Sequence, residues 1–392
     1  MKVCRIVDDF PVRKEIREGF APNWYYYSKL SAEKGIEVHV ICGGAPEQLP
    51  EEEIEGINVH RVSLVKGYRS ALYGDFAKNC IKKIEEIKPD IIHGHNASHI
   101  SVVRNRRKIE IPLITHLHGS IDQDMCTEKL PFSFDFKRAL RDRIIALASF
   151  LRYRYTATHA DLIIACDKYT LNSVRKHIGS VEARVVYNGV DLNLFKKTKS
   201  KLKEELEADH LLLYIGRPVP WKGVQYLLRA VDRLNRQYKG LKCLLVGVKR
   251  DDKRHPNYIY YRWLKSIADE LRLRNVIFSP PTAYFDLPKY YSGVDCFVTP
   301  SYPDSSPKTV YEAQACSCPV VAANGGGIPE IFSENSGLLF KPRDVEDLVR
   351  KIKTVLENPE KFRGGREVVK EKATWKKCVE DIIECYEFLL HN

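Results

Sequence analysis

Residues 298–330 read VTPSYPDSSPKTVYEAQACSCPVVAANGGGIPE, which is the most informative stretch of the chain. An apolar strand leads into a turn rich in proline and serine, a short helix carries Glu312, and a second apolar strand ends in three glycines. Strand, helix and strand in this order predict a βαβ unit of a parallel sheet. A helix that begins just after Pro307 would direct unpaired backbone N–H groups and its positive dipole end at a ligand such as phosphate. The stretch therefore predicts a ligand-binding edge of a parallel sheet.

Outside this stretch, short apolar runs alternate with helical patterns along most of the chain. A lysine-rich segment, FKKTKSKLKEELE at residues 195–207, lies between two such series and offers a connection between domains. The sequence therefore predicts two Rossmann-like domains, at 1–190 and 191–373, followed by an amphipathic helix within 374–392. The predicted strands are 3–7, 38–42, 59–62, 90–93, 113–117, 162–165 and 185–187 in the first domain, and 211–215, 242–246, 276–278, 296–299 and 319–322 in the second.

The composition agrees with a two-domain protein of the cytoplasm. A chain of 392 residues with 44% hydrophobic residues exceeds what one core usually supports. The eleven cysteines are scattered among apolar runs, which favours buried thiols in a reducing compartment over a disulfide framework. The start MKVCRIVDDF is too short and too soon acidic for a signal peptide, and no apolar run is long enough to span a bilayer.

The formal net charge of +12 raises the question of a nucleic-acid partner. Acids are interleaved with the basic residues, and no RNA-binding signature, zinc-knuckle spacing or helix-turn-helix pattern accompanies them, so we expect no nucleic-acid partner. A nucleotide diphosphate, an anionic lipid surface, or a solvated basic surface without a partner would each account for the charge.

A second motif is LLLYIGRPVPWKGVQYLL at residues 211–228. It places Arg217 at the carboxyl end of a predicted strand and Lys222 just before Gly223, where a helix is expected to begin. Two cations beside a helix N-terminus indicate a phosphate clamp, although an ordinary surface loop would also contain such residues.

Together these segments resemble the retaining family 4 glycosyltransferases of the GT-B fold. The resemblance rests on Asp304, seven intervening residues, Glu312 and the strand PVVA, together with the strand that leads to Arg217 and Lys222. It implies two Rossmann-like domains facing across a cleft, with the C-terminal helix crossing back to the first domain. It also implies that Asp304 holds the donor sugar, Glu312 the ribose, and the two cations the leaving diphosphate. The family normally has Glu and Gly where this chain has Asp304 and Ser305.

The resemblance extends to the first domain, where LITHLHGS places His118 near the transferred sugar. A structural role for His116 and His118 stays open at this point. Relatives carry a double glycine in the first loop, where this chain has only Gly19. The implied catalytic residues are Arg217, Lys222, His118 and Asp304, and the implied donor-binding residues are Glu312, Pro307, Lys308, Thr309, Gly19 and Gly247.

Two residue groups suggest a metal site, and we expect neither to be one. His93, His95 and His99 lack a carboxylate or cysteine that would complete the set. Asp122 and Asp124 have the spacing that binds manganese in the GT-A fold, but that fold has its nucleotide domain first, so we interpret this pair as a solvated loop.

The predicted function is transfer of a hexose from a nucleotide diphosphate sugar to a sugar, polysaccharide or lipid-linked acceptor. Retention of anomeric configuration is implied by the resemblance, and neither a metal nor another cofactor is expected. A nucleotide-sugar epimerase, a sugar phosphorylase and a non-catalytic sugar-nucleotide-binding relative remain open as alternatives.

A further prediction concerns residues 136–155, where apolar residues recur at helical spacing beside six arginines and lysines and one acid. Such a helix could lie on an anionic membrane surface at the inner face of the membrane. Alternatively, it could pack its apolar face into the core while its arginines reach solvent.

Overall fold

The computed structural model describes residues 1–10, 21–44, 48–63, 75–126 and 129–391. The chain forms two compact units. The first comprises residues 1–124, 147–189 and 375–392, and the second comprises residues 125–146 and 190–374. Residues 125–146, which the sequence analysis assigned to the first domain, therefore belong to the second unit.

The first unit is built on an eight-stranded sheet within the described residues, in the order β3-β4-β2-β1-β5-β6-β7-β8. All neighbouring pairs are parallel except β3 with β4. The central strands are continuous apolar runs because helices cover both faces of such a sheet. The strand bounds are β1 Lys2–Asp9, β2 Glu37–Gly43, β3 Glu51–Ile54, β4 Ile57–Ser63, β5 Ile91–His95, β6 Leu113–Leu117, β7 Leu162–Ala165 and β8 Ala183–Val185.

The C-terminal helix packs in the first unit, as the resemblance implied. Its Ile382 and Tyr386 are buried in the same apolar cluster as Val3 and Val38 of the sheet. The helices whose residues lie wholly or partly in this unit are α1 Ala21–Glu33, α2 Asp75–Ile87, α3 Ile100–Arg104, α4 Gln123–Cys126, α5 Phe136–Thr158, α6 Lys168–Ile178 and α14 Trp375–His391, with a 3₁₀ turn at Arg106–Lys108.

The second unit contains a six-stranded parallel sheet in the order β11-β10-β9-β12-β13-β14. This is the Rossmann order, in which the chain first builds outward on one side of its first strand and then crosses to the other side. The strand bounds are β9 His210–Ile215, β10 Leu241–Val246, β11 Val276–Phe278, β12 Cys296–Thr299, β13 Val320–Ala323 and β14 Gly337–Phe340.

Helices flank the second sheet, and α8 and α12 bury one apolar face each in its main core. The helix bounds are α7 Leu202–Glu205, α8 Val224–Leu234, α9 Tyr258–Glu270, α10 Leu287–Ser292, α11 Lys308–Ala315, α12 Val345–Glu357 and α13 Gly365–Lys372, with 3₁₀ turns at Pro220–Lys222, Tyr284–Asp286, Ile328–Ile331 and Pro359–Phe362.

The two sheets, which are parallel except for β3, confirm the predicted fold class of two Rossmann-like domains. The ten cysteines with described side chains are buried and form no disulfide with one another, as predicted. Among the described helices, none is both long and apolar enough to cross a bilayer.

Candidate functional site

The second sheet has its topological switch point between β9 and β12, which are neighbours although two strands separate them in the chain. The loops that leave their carboxyl ends turn to opposite sides, and such a divergence forms a crevice where ligands bind in open α/β sheets. Arg217 follows β9 by two residues, and Asp304 follows β12 by five. Both motifs singled out from the sequence therefore lie at one edge of one sheet.

Close packing joins the loop after β9 to the loop after β12. Gly223 has φ +73°, and a Cβ at this position would lie 2.2 Å from the carbonyl oxygen of Pro300. The backbone N–H of Tyr302 donates a hydrogen bond to the carbonyl of Trp221 at 3.1 Å. A glycine is required here because a side chain would separate the two loops.

An ion pair between Lys222 and Asp304 also joins the two loops. The Nζ of Lys222 lies 2.6 Å from the Oδ2 of Asp304, and the hydroxyl of Ser301 donates to the same oxygen at 2.7 Å. Asp304 is only 5% exposed, and a carboxylate buried to this degree is costly unless it is paired and hydrogen-bonded. Asp304, predicted to bind the donor sugar, and Lys222, predicted to bind the diphosphate, are therefore in direct contact.

Arg217 presents a second cation at the same edge. Its side chain is exposed, and its carbonyl oxygen accepts a hydrogen bond from the hydroxyl of Tyr214 at 3.2 Å. Burial raises the pKa of Tyr214, the charge of Asp304 raises it further, and the charge of Arg217 lowers it. Among the described residues Arg217 forms no ion pair, so its guanidinium is available to an anion.

Helix α11 begins where the sequence predicted, with Pro307 at the N-cap and Lys308 and Thr309 in the first turn. The proline supplies no side-chain cap. In such a helix the first-turn N–H groups and the dipole favour an anion in front of the N-terminus. The position of this terminus, just after Asp304, fits a phosphate group beside the two cations.

The glycine turn that follows β13 packs against the backbone of the Asp304 loop. Gly326 has φ +64°, and a Cβ there would lie 2.2 Å from the carbonyl oxygen of Asp304. The N–H of Gly327 donates to that same oxygen at 2.8 Å. These glycines therefore permit a close approach to the Asp304 backbone, which is a structural role.

Glu312 lies one turn along α11 and is held in place by a neighbouring helix. Its Oε2 accepts a hydrogen bond from the hydroxyl of Tyr291 at 2.8 Å, and its side chain is buried. Burial raises the pKa of Glu312, while the charge of Lys308 and the bond from Tyr291 oppose this effect. Burial in turn lowers the pKa of Lys308, against the charge of Glu312. Tyr291 thus fixes one carboxylate oxygen, and the other can accept from a ligand.

Two residues that support the site were missed by the sequence analysis. Ser301 and Tyr291 hold Asp304 and Glu312, respectively, in place. The position of Ser301 three residues before Asp304, directly after a strand, was a usable signal. Tyr291 lies 21 residues from Glu312 and carries no local signal.

Of the two glycines predicted to bind the donor, Gly247 and Gly19, only Gly247 lies within the described residues. Gly247 follows β10 with φ +80°, and a Cβ there would lie 3.0 Å from the carbonyl oxygen of Gly216. Its N–H donates to the carbonyl of Pro280 at 3.2 Å. Gly247 therefore lies at the carboxyl edge of the same sheet, where its N–H is engaged within the protein. Gly19 lies outside the described residues.

His118 belongs to a buried stack of histidines in the first unit. Its Nε2 is 3.0 Å from the Nδ1 of His95, and the Nε2 of His93 is 3.2 Å from the Nδ1 of His116. Burial lowers the pKa of His93, His95 and His116 well below the usual range, so these rings are neutral near pH 7. A ring of Trp24 lies 5.0 Å from that of His118.

The histidine stack differs from the trio considered in the sequence analysis. Ring nitrogens of His93, His95 and His116 come within 4.8 Å of one another, whereas His99 bonds the hydroxyl of Thr115 at 2.8 Å. The rings of His93 and His95 are stacked at 4.4 Å, and the Arg5 charge lowers the pKa of all three histidines. Stacked rings do not converge on one point, and a nearby cation opposes a metal ion. The expectation that no metal binds here stays a prediction.

Asp122 was predicted to lie in a solvated loop, and this was wrong. It is buried, and it accepts hydrogen bonds from Ser173 at 2.9 Å, Lys176 at 3.1 Å and His177 at 2.9 Å. Burial alone would raise the pKa of Asp122, but the bonds from these three residues outweigh it and lower the pKa. Asp122 therefore anchors helix α6, and Asp124 is half-exposed on α4.

Replacing Asp122 by asparagine should lower the free energy of unfolding by about 1 to 3 kcal/mol at pH 7, since it removes charged hydrogen bonds from a buried site. A depressed pKa stabilises the folded state above the unfolded pKa of about 4, and this contribution is lost as the pH falls below that value. Urea unfolding at several pH values should therefore show a difference between wild type and variant that narrows below about pH 4. Asp124→Asn is the matched control, and an equal effect in both variants would contradict the anchoring role.

Two family models together match most of the chain. The model described as Glycosyl transferases group 1 matches residues 195–373, and the model described as Glycosyltransferase Family 4 matches residues 24–194. An uncharacterized glycosyltransferase of Methanocaldococcus jannaschii is 28% identical to this chain, over 91% of each protein. A D-inositol 3-phosphate glycosyltransferase of Streptosporangium roseum is 26% identical over 84% of this chain and 78% of that protein.

Solved structures show the same fold over the whole chain. A sucrose-phosphate synthase from Thermosynechococcus elongatus superimposes with a TM-score of 0.82 at 20% identity, covering 100% of this chain and 99% of that one. An Anabaena protein in complex with UDP-glucose gives a TM-score of 0.72 at 20% identity, covering 99% of each chain. At this level of identity the likeness establishes the fold.

Proposed function

Because this chain belongs to the family 4 glycosyltransferases of the GT-B fold, we propose that it transfers a hexose from a nucleoside diphosphate sugar to a hydroxyl acceptor. The observation that carries the proposal is the contact between Lys222 and Asp304 at the switch point of the second sheet. In a site that holds a sugar diphosphate, the residue that binds the phosphate must lie next to the residue that binds the sugar. Lys222 and Asp304 meet this requirement.

In this proposal the diphosphate lies before the N-terminus of α11, between Arg217 and Lys222. Breaking the bond between the anomeric carbon and the phosphate oxygen places new negative charge on the diphosphate. Lys222, which Asp304 holds, and the helix dipole are fixed before the reaction, so they stabilise this charge without reorganising, and the charge of Arg217 adds to theirs.

The sugar and the ribose are assigned to the two carboxylates. Asp304 accepts hydrogen bonds from hydroxyls of the donor sugar, and Glu312 accepts from the ribose. Ser301 and Tyr291 orient these carboxylates, as positioning residues. His118 of the first unit is proposed to contact the transferred sugar.

We propose retention at the anomeric carbon, with the acceptor oxygen bonding to the face that the phosphate leaves. The departing phosphate oxygen takes the acceptor proton, so the step needs no separate base. Side-chain cations supply the charge that a divalent metal supplies elsewhere, and a chelator should therefore leave the rate unchanged.

The proposal does not specify the base of the donor nucleotide, and it names the acceptor only by class. Structural neighbours of this fold have been solved with UDP-glucose and with ADP and acarbose, so either kind of base fits the scaffold. A trehalose-phosphate synthase of the same fold was solved with glucose-6-phosphate. We propose a sugar, polysaccharide or lipid-linked acceptor, and the last would bring the enzyme to the cytoplasmic face of a membrane.

The proposal is tested by incubating the protein with a panel of nucleoside diphosphate sugars and measuring release of the free nucleoside diphosphate. We expect slow release to water with at least one donor, and faster release once an acceptor is added. Formation of an isomeric nucleotide sugar without release would indicate an epimerase. Binding without release or isomerisation across the panel and a range of sugar acceptors would indicate a non-catalytic protein.

The variant Asp304→Asn should lower turnover at least about tenfold, because a charged hydrogen bond to a sugar hydroxyl is worth roughly 1.5 to 3 kcal/mol. The matched control is Asp295→Asn at the amino end of β12, where Asp295 pairs with Lys203 at 3.0 Å, far from the carboxyl edge. Turnover should stay near wild type in that control. If Asp304→Asn matched wild type with every accepted donor, Asp304 would not be a sugar ligand.

A further inference from the structure

Helix α5 exposes a continuous apolar face. Phe136 is 63% exposed, Ile144 62% and Leu151 54%. Six of the exposed apolar residues recur every three or four positions, which places them on one side of a helix. They are Phe136, Leu140, Ile144, Leu147, Leu151 and Tyr155, whereas Ile145, which is 37% exposed, lies off this face. The alternative that this face packs into the core is therefore wrong.

The opposite side of α5 is the one that packs on the protein. Its buried positions are small or hydroxylated: Ala139, Ala146, Ser149, Thr156 and Ala157. Small residues let the helix backbone approach its neighbours closely. Phe150 and Tyr153 also pack on the core of the first unit. The exposed apolar residues therefore form a second apolar face, directed at solvent, which an ordinary surface helix lacks.

Cations border the apolar face on both sides. At 100° per residue, Arg143 and Arg154 fall along one margin, and Lys137 and Arg141 fall along the other. The one acid of the helix, Asp142, is paired with Arg138 at 3.2 Å. In the described part of the chain, neither Lys137 nor Arg141 forms an ion pair with an acid. The helix therefore carries uncompensated positive charge beside its apolar face.

A basic cavity of about 430 Å³ adjoins the first turns of the same helix. Arg138, Arg141, Lys253 and Arg254 line it, with Asp135 as the acid in its wall. Arg138 also donates to the carbonyl of Pro256 at 3.1 Å, which joins the helix to the cavity wall that Lys253 and Arg254 form. A cavity of this size and charge suits one phosphate-bearing headgroup.

We propose that this surface, defined by the apolar face of α5, its basic margins and the adjoining cavity, docks on an anionic phospholipid membrane. The apolar side chains enter the boundary between headgroups and acyl chains, and the arginines and lysines lie at the lipid phosphates. The helix lies in the plane of the surface and does not cross it.

Charge favours this occupant over a second copy of the chain or a protein groove. Two copies would bring the same uncompensated cations together, and like charges oppose such a contact. A membrane rich in anionic lipid offers the opposite charge on a flat surface, and attraction grows with each cation near it.

Flotation with lipid vesicles tests the proposal without any transfer reaction. Wild type should float with vesicles that contain phosphatidylglycerol. With vesicles of phosphatidylcholine alone, most of the protein should remain in the bottom fraction of the gradient. Raising the salt from 0.1 to 0.5 M should weaken flotation, since the attraction is partly electrostatic. The triple variant Ile144→Gln, Leu147→Gln and Leu151→Gln should lose binding to the anionic vesicles.

A second variant tests the cavity and margins independently. Arg141→Gln with Lys253→Gln should weaken binding about fivefold for each charge removed. The matched control is Phe285→Gln, which removes a 47% exposed aromatic residue elsewhere on the surface and should float like wild type. Thermal unfolding and donor hydrolysis should be unchanged in all three variants.

Equal flotation of wild type on neutral and anionic vesicles would overturn the proposal, as would wild-type flotation of the triple variant. So would sedimentation that shows a wild-type dimer which the triple variant abolishes, without vesicle binding. Because donor hydrolysis is measured separately, failure here leaves the proposed enzymatic function intact.

Discussion

Replacing Arg217 or Lys222 by alanine should lower turnover by roughly two to three powers of ten, as expected when a fixed charge aimed at a developing anion is removed. Arg217→Ala is the simpler variant, because its side chain is exposed and forms no ion pair among the described residues. Its unfolding midpoint should match wild type. Arg262→Ala, at an exposed arginine of helix α9, is the matched control and should keep full turnover.

Lys222→Ala should also cost stability, because it leaves the buried Asp304 carboxylate without its ion partner. Adding Asp304→Asn to this variant should restore the unfolding midpoint without restoring turnover. This double variant separates a loss of charge stabilisation from a loss of folded protein. Wild-type turnover in both Arg217→Ala and Lys222→Ala would refute the phosphate clamp.

Replacing Glu312 by alanine should weaken nucleoside diphosphate binding by about 10 to 150 fold, corresponding to roughly 1.5 to 3 kcal/mol for a charged hydrogen bond. If the contact is to the ribose, the loss should depend on the ribose hydroxyls. Calorimetric titration with a 2′,3′-dideoxy nucleoside diphosphate should then give nearly equal affinities for wild type and Glu312→Ala.

Tyr291→Phe provides the companion test, since it removes the hydroxyl that holds Oε2 of Glu312 while leaving the carboxylate in place. We expect a smaller loss of affinity than in Glu312→Ala, again confined to nucleotides with ribose hydroxyls. If Glu312→Ala weakened the dideoxy nucleotide as much as the normal one, the ribose assignment would be wrong.

Much of the fold could be predicted because buried parallel strands are short runs of apolar residues, as in β9 and β10. Two strands were missed for physical reasons. β3 reads EEEI and lies at the sheet edge, where Glu51 pairs with Lys83 and Glu52 with Arg61 instead of packing in an apolar core. β14 reads GLLF, begins with a glycine, and is a partly buried strand at the edge of the second sheet, so its apolar signal is weak. The predicted strand at 185–187 lies instead at Ala183–Val185, an edge strand of three residues.

The residues of the site were predicted by their motifs, but their pairings were not. Lys222 and Asp304 are 82 positions apart, and their contact requires β9 and β12 to be neighbours. Alternation of strands and helices does not determine strand order. Asp122 was misjudged for the same reason, since its partners lie 51 to 55 positions away on another helix.

Helix α5 shows a different limit of sequence reasoning. The period of its apolar residues is the same whether they face the core or solvent. The signal that distinguishes the two cases is the second stripe, formed by Ala139, Ala146 and Ala157, whose small side chains suit close packing on the protein.

The most direct test of the central claim is calorimetric titration of nucleoside diphosphates into wild type, Arg217→Ala and Glu312→Ala. The claim is that the N-terminus of α11, the two cations and Glu312 form one nucleoside diphosphate site in the second unit. We predict that wild type binds at least one nucleoside diphosphate and that both variants bind it at least about tenfold more weakly. Equal affinity in all three proteins would contradict the claim.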